Sequence, residues 1–312
     1  MARVGVVLLT MGEPETLDQV RPFLKELLND PALVPVPVAA LQPAFAWTLS
    51  CLCQGRLKRR LTQIHGSPLR RLTELQRAAL EDALRPCGDF KVYMAMRYGP
   101  PSAQDAARCM QEDQLDLAVA LPLYPQYCRA TTGSSLVDLR QHLRLPIQEI
   151  PSWPDHAGYI AALVEQISRV LPPSSAGKTH MLLSAHSVPE AFLSAGDPYL
   201  QEIQATQKAL SCALPGLPHS LAFQSRTGRG TWLKPDIAEE VRRLARAGVK
   251  NLVVVPLSFV SDHSETLYDL DIVLKRQALA EGITTFLRVP SLNDSPAFIA
   301  ALKDLVMTRI SQ

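Results

Sequence analysis

The sequence predicts a doubly wound α/β fold in two similar halves, and three observations carry that expectation. Short apolar runs recur along the chain without strict alternation, which suits strands buried on both faces of a parallel sheet. Amphipathic helical stripes lie between those runs. The two halves also present similar residues in the same order after corresponding runs.

In chain order the expected strands are VGVVLL (4–9), KVYMAM (91–96), LDLAVALPLY (115–124), HMLLSAHS (180–187), HSLAFQS (219–225), NLVVVPLSFV (251–260) and TTFLRVP (284–290). After the first comes DQVRPFLKELLND (18–30), where Val20, Phe23, Leu24, Leu27 and Leu28 make one helical stripe. KPDIAEEVRRLARAG (234–248) presents Ile237, Val241, Leu244 and Ala245 and stops at Gly248. Strand, helix, strand in this order implies doubly wound layers. The halves run in parallel: VVLLTMGEPET matches MLLSAHSVPEA, a strand, then Met or His, then Pro-Glu. YMAMRYGPPSAQDAARCMQE parallels LAFQSRTGRGTWLKPDIAEEVRRL, and VALPLYPQYCRATTGSSLVDL parallels VVPLSFVSDHSETLYDLDI. Two domains are therefore expected, 1–160 and 161–312, with the C-terminal helix packing back on the first. LPPSSAGK (171–178) reads as a loop at the start of the second.

Charge is nearly balanced at +2, with 32 basic against 30 acidic residues, so nothing in the bulk composition attracts nucleic acid. Of six cysteines only Cys51 and Cys53 are close in sequence, which gives neither a zinc framework nor a secreted disulfide set. The opening MARVGVVLLTMGEPE reads as a first strand rather than a signal peptide. Prolines 35, 37 and 43 interrupt the least polar stretch, Val34 to Cys53, before it reaches a membrane span. A cytoplasmic location without a transmembrane anchor is expected.

Ligands of such sheets sit beyond the carboxyl ends of the strands. In the first half those positions hold Met11, Arg97, Tyr98, Tyr124 and Tyr127, and in the second His186, Arg226, Trp232, Phe259, Asp262, His263 and Glu265. Taken singly, each has a bland explanation: a packed histidine, a first-turn glutamate favoured by the helix dipole, or an Asp269 on a solvated stripe. Together, two imidazoles and two carboxylates opposite an aromatic lip suit a site that handles protons and a divalent metal. Neither half has a G-x-G-x-x-G or G-x-S-x-G spacing, which disfavours a nucleotide cofactor and a serine nucleophile.

These segments resemble the ferrochelatase family over nearly the whole chain. The resemblance rests on LLTMGEPET, GSPL (66–69), YPQYCRATTGSS (124–135), SAHSVP (184–189), FQSRTGRGTWLKP (223–235) and FVSDHSETLYDLD (259–271), in family order. It implies insertion of Fe²⁺ into a porphyrin on two Rossmann-like domains, with the macrocycle in the cleft between them. By motif position His186 and Glu265 match the family's essential histidine and glutamate. Asp262 and His263 match the polar pair beside that glutamate, and Phe259 and Trp232 match cleft-wall aromatics. Met11, Ser67, Arg97 and Tyr124 fall on substrate or metal-path positions. The chain departs from the pattern at Glu13, where a second glycine is usual, and at Val273, where some relatives carry a third carboxylate after Asp269. No cysteine follows Cys212, so no iron–sulfur cluster and no permanently bound cofactor are expected.

Metal cannot enter a free-base porphyrin until the ring is puckered and its two N–H protons leave. His186 is expected to serve either as the base or as an iron ligand, with Glu265 and Asp269 carrying protons away and His263 orienting the glutamate. Fe²⁺ is a substrate, and protoporphyrin IX is the expected porphyrin because apolar Met11 suits vinyl groups. Coproporphyrin, another tetrapyrrole chelatase activity, and a non-catalytic porphyrin- or haem-binding protein are the competing readings. Arg97 and the run RLKRR (56–60) are candidates to pair with propionates. Beside FAWTLSCLC (45–53), that run also suggests peripheral contact with the inner membrane by a monomer.

Overall fold

The computed structural model describes residues 2–31, 33–34, 38–171, 179–226 and 230–312. The expected LPPSSAGK loop lies, from residue 172, outside the described residues. The chain divides into two compact units: Met1–Tyr124 with Cys128–Ser152 and Leu302–Gln312, and Pro125–Tyr127 with Trp153–Ala301.

In the first unit β1 (Val4–Thr10) is buried along its whole length. It lies between β2 (Phe90–Met96) and β3 (Leu117–Pro122), with β4 (Ile147–Glu149) beyond, all parallel in the order β2-β1-β3-β4. The helices are α1 (Val20–Asn29), α2 (Gln42–Gln63), α3 (Leu69–Leu84), α4 (Ala103–Glu112) and α5 (Ser134–His142). A capping box starts α4: the Ser102 hydroxyl accepts from Asp105 N, and the Asp105 carboxylate accepts from Ser102 N. Val7, Leu9, Met110, Leu136 and Leu139 make one core between sheet and helices.

The second unit repeats the plan. It holds α6 (Ala157–Val170), β5 (Thr179–His186), α7 (Glu190–Ser194), α8 (Tyr199–Ala213), β6 (His219–Gln224), α9 (Ile237–Arg246), β7 (Asn251–Pro256), α10 (Lys275–Ala280) and β8 (Thr285–Arg288). Helix α11 (Pro296–Ile310) starts in this unit, and from Leu302 its residues group with the first. The strands are parallel in the order β6-β5-β7-β8, over a core that includes Leu182, Val241, Val254 and Leu270.

The two sheets match in register as well as in order. Leu9 stands opposite Pro122, and Ser184 opposite Pro256, so Met11 and His186 occupy the same place two residues beyond. Met96 N donates to Pro101 O at 2.7 Å, and Phe223 N to Pro235 O at 2.9 Å. The residue after each of those prolines, Ser102 or Asp236, caps the next helix.

Three details differ from the sequence expectation. The described residues hold eight strands, not seven, because β4 is only three residues long and too short to show a pattern. The units part at Ser152/Trp153 rather than at 160, because Trp153 packs on Tyr159 and Phe298 at ring-centroid distances of 5.0 and 6.0 Å. Pro125–Tyr127, in the YPQY segment, also groups with the second unit, where Tyr127 N donates to Glu202 and Gln126 Nε2 to Thr206.

Candidate active site

Strand β5 delivers His186 to the carboxyl edge of the second sheet, and its backbone is fixed there from two sides. His186 N donates to Ser258 Oγ at 2.9 Å, and His186 O accepts from the Tyr199 hydroxyl at 2.9 Å. The ring is oriented by Nδ1, which lies 2.6 Å from Ser187 O. A carbonyl only accepts, so Nδ1 carries the proton and Nε2 is left as the working nitrogen. Nε2 lies 3.5 Å from Glu265 Oε1. Burial alone would lower the pKa of this imidazole. The Glu265 carboxylate, the Ser187 carbonyl and the charge on Asp269 outweigh burial and raise it.

Glu265 opens a ten-residue π-helical segment, Glu265–Leu274, shortly after β7. Its carboxylate accepts from Ser225 Oγ at 3.1 Å, and its carbonyl from Gln224 Nε2 at 3.2 Å. The other end of the Gln224 amide accepts from Ser184 Oγ at 2.5 Å, which ties the glutamate's backbone to the two adjacent strands β5 and β6. Ser225 has φ +64°, a left-handed conformation uncommon for a residue with a side chain. The π winding replaces the α turn expected between Glu265 and Asp269; with i→i+5 bonding, residues four apart fall just short of a full turn.

The neighbours expected beside the glutamate have their own partners. Asp262 accepts from Arg288, Asn293 and Thr266 at 2.7, 3.0 and 2.9 Å. Burial would raise its pKa, but the Arg288 charge and these hydrogen bonds lower it. His263 Nδ1 lies 3.1 Å from Ser261 O, and its ring is 4.6 Å from Phe259 between centroids. Phe259 meets the His186 ring edge-on at 6.2 Å. Trp232 pairs with Pro189 in an isolated antiparallel bridge close after His186.

The first unit sets its candidates at the equivalent edge. Met11 follows β1, and its carbonyl accepts from Tyr98 N at 2.9 Å. Gly12 has φ +82°, and a Cβ there would lie 2.1 Å from Tyr98 O. Ser67 bonds the Glu13 carboxylate and accepts from Leu69 N at the start of α3, so the departure at Glu13 has a local partner. Arg97 donates to Asp30 at 2.5 Å and to Ser134 at 2.8 Å, and its guanidinium lies over the Tyr98 ring. Asp30 also accepts from Tyr98 and Ser134, so any propionate pairing at Arg97 competes with a buried carboxylate already in place. Burial raises the pKa of the Tyr124 phenol.

The structure thus brings together His186, Glu265, Phe259 and His263 in the second unit, and Met11, Arg97 and Tyr124 at the strand ends of the first. Sequence reasoning missed Ser225, Gln224, Ser258 and Tyr199. The FQS stretch held a usable signal, polar residues directly after a strand, whereas Ser258 and Tyr199 act through their distance in sequence, not their spacing.

Two parallel α/β units of one topology, with an imidazole–carboxylate pair at a strand edge, define a chelatase-like protein. CbiX, the terminal enzyme of sirohaem biosynthesis in denitrifying bacteria, shares this fold with a TM-score of 0.57 at 15% identity, covering 98% of each chain. SirB from Bacillus subtilis has a TM-score of 0.57 at 10% identity over 98% of this chain and 95% of its own. The chain belongs to the ferrochelatase family, whose model matches residues 3–310. It is 43% identical to the ferrochelatase of Parasynechococcus marenigrum, covering 99% of this chain and 83% of that one. To the ferrochelatase of Desulfotalea psychrophila it is 41% identical, over 97% and 96%. Membership makes it an enzyme of haem biosynthesis that inserts a metal ion into a porphyrin.

Proposed function

We propose that the chain inserts Fe²⁺ into protoporphyrin IX, with His186 as the proton acceptor and Glu265 as the group that takes the proton onward. The observation that carries this reading is the 3.5 Å approach of His186 Nε2 to Glu265 Oε1, with Nδ1 committed to Ser187 O. As Fe²⁺ enters, two pyrrole N–H bonds break and the electron pairs stay on the ring nitrogens. The two protons must leave. A neutral His186 takes the two protons one after the other at Nε2, and Glu265 stabilises each imidazolium and passes its proton on towards solvent, with Asp269 adding a further negative charge along the same segment. The hydrogen bond from Nδ1 to Ser187 O and the approach of Nε2 to the Glu265 carboxylate support the base reading, since that carboxylate stabilises the imidazolium that forms.

Protoporphyrin is favoured over coproporphyrin by the apolar, adaptable side chain of Met11 and by the prior engagement of Arg97 with Asp30. The test is an anaerobic assay in which both porphyrins compete for Fe²⁺. Faster formation of protohaem is expected; faster iron coproporphyrin formation places the chain in the other branch. Porphyrin binding without insertion returns the non-catalytic reading.

The same reading assigns a monomer with no resident cofactor, which light scattering and iron analysis of the purified protein test. It also assigns contact with an anionic membrane surface to α2, where Phe45, Trp47 and Leu52 are exposed ahead of Arg56, Lys58 and Arg59. No helix among the described residues is long and apolar enough to cross a membrane. Co-sedimentation with anionic but not zwitterionic vesicles is the expected result.

A further inference from the structure

Besides Gln224 and Ser225, a third side chain from outside the π-helical segment that carries Glu265 bridges its start. Arg288, the last residue of β8, donates from NH1 to Asp262 at 2.7 Å and from Nε to Asp271 at 2.8 Å, and NH1 also reaches Val289 O. Its side chain is only 9% exposed. Asp262 lies three residues before Glu265 and Asp271 six after it, so a single planar cation spans the start of the segment. From Asp262 the links continue inward: its carboxylate accepts from Thr266 Oγ1, which also lies 3.1 Å from His263 N. Asn293 closes the other side, donating to the Asp262 carboxylate and accepting from Asp262 N.

We infer that Arg288 is a positioning residue for the metal-insertion reaction, setting the winding of residues 265–274 so that Glu265 points at His186. A π ladder has poorer hydrogen-bond geometry than an α ladder and is uncommon over ten residues. Rewinding to the α register would turn Asp271 about the helix axis, away from a guanidinium whose other end is fixed on Asp262. The fork geometry of arginine makes the bridge directional, which lysine cannot reproduce with a single nitrogen. Arg288 bonds Asp262 and Asp271 and acts through Glu265. The inference rests on the reading of His186 and Glu265 as the reaction centre.

The test compares Arg288→Gln, Arg288→Lys, Asp271→Asn and Glu265→Gln, with Met110→Ala in the core of the first unit as a control for loss of stability. Insertion is measured per folded molecule. Arg288→Gln is expected to lower kcat about tenfold with the porphyrin KM within about twofold, a size typical of lost support behind a reacting group. Arg288→Lys should recover part of the loss, and Met110→Ala should lose stability without losing kcat. If Arg288→Gln does not fold, Asp271→Asn carries the test, because it removes the charge from one arm of the bridge and leaves Asp262 paired. In the double variant with Glu265→Gln the losses should not multiply. Unchanged kcat in the folded Arg288 or Asp271 variants, or losses that multiply, overturns the inference. A fully active Glu265→Gln overturns the reaction-centre reading instead, so the two failures are distinguishable.

Discussion

At the carboxyl edges of the two sheets the same backbone plan supports opposite electrostatic arrangements. Where the second unit has His186, two residues past the one facing Pro256, the first has Met11, two residues past the one facing Pro122. After β2 the first unit places Arg97, closed onto buried Asp30, Ser134 and Tyr98. At the end of β6 the second places Gln224, and just after it Ser225, which hold the backbone and carboxylate of Glu265. In one unit the ionic groups satisfy each other; in the other an imidazole and a carboxylate stand near each other but 3.5 Å apart, beyond a strong hydrogen bond. Topology therefore gives both units the same edge, and side chains at the strand ends make the two edges chemically different.

The largest expected effect breaks that asymmetry directly. His186→Ala should lower insertion about a thousandfold, within the range for loss of a positioned base, while porphyrin binding followed by fluorescence is retained. Met11→Ala, at the matching place, should lower kcat/KM by no more than about tenfold. Equal losses would mean that the first unit takes part in the chemistry on the same terms.

Next in size is stability. Asp30→Asn should lower unfolding free energy by about 3 kcal/mol, because it removes the carboxylate partnering a half-buried Arg97. Insertion per folded molecule should stay within about threefold of the parent. Glu265→Gln should do the reverse, with activity lost and the denaturant midpoint little changed. A folded Asp30→Asn protein as inactive as Glu265→Gln would assign the first unit's ion pair to the reaction.

The smallest effects are read by titration. The folded-state pKa of His186 is raised, so its contribution to stability is complete below the unfolded value of ~6.5 and is lost as pH rises through the folded value. Removing the Glu265 charge should move the imidazole midpoint downward, as seen by NMR of the ring protons. An unmoved midpoint would deny the coupling. Asp262 has the opposite sign: its pKa is lowered, so its stabilisation is present above the unfolded value of ~3.9 and is lost as pH falls through the folded one. The acid limb of the stability curve should flatten in Asp262→Asn.

The parts legible in the sequence are those written locally. Buried strands showed as apolar runs, and His186 and Glu265 became candidates because the first ends a strand and the second lies five residues past another run, where a parallel sheet places its ligands. Asp30 gave no sign of its role, since its partner Arg97 is 67 residues away. Arg288 read only as the end of a strand, because the acids it bridges lie 26 and 17 residues earlier. The π winding was equally hidden: over ten residues, ETLYDLDIVL is compatible with either helical period.

Gly12 makes exchange between the two units one-directional. Its counterpart by register is Ser187, whose side chain has room and donates to Leu233 O at 3.3 Å. Grafting the β1 end onto β5 replaces Ser187 by glycine and deletes that hydroxyl. Grafting the β5 end onto β1 drives a side chain into the carbonyl of Tyr98, 2.1 Å from where its Cβ must sit. A chimera that moves the histidine-bearing tip into the first unit is thus blocked at the residue beside the histidine, whatever the chemistry of the new edge.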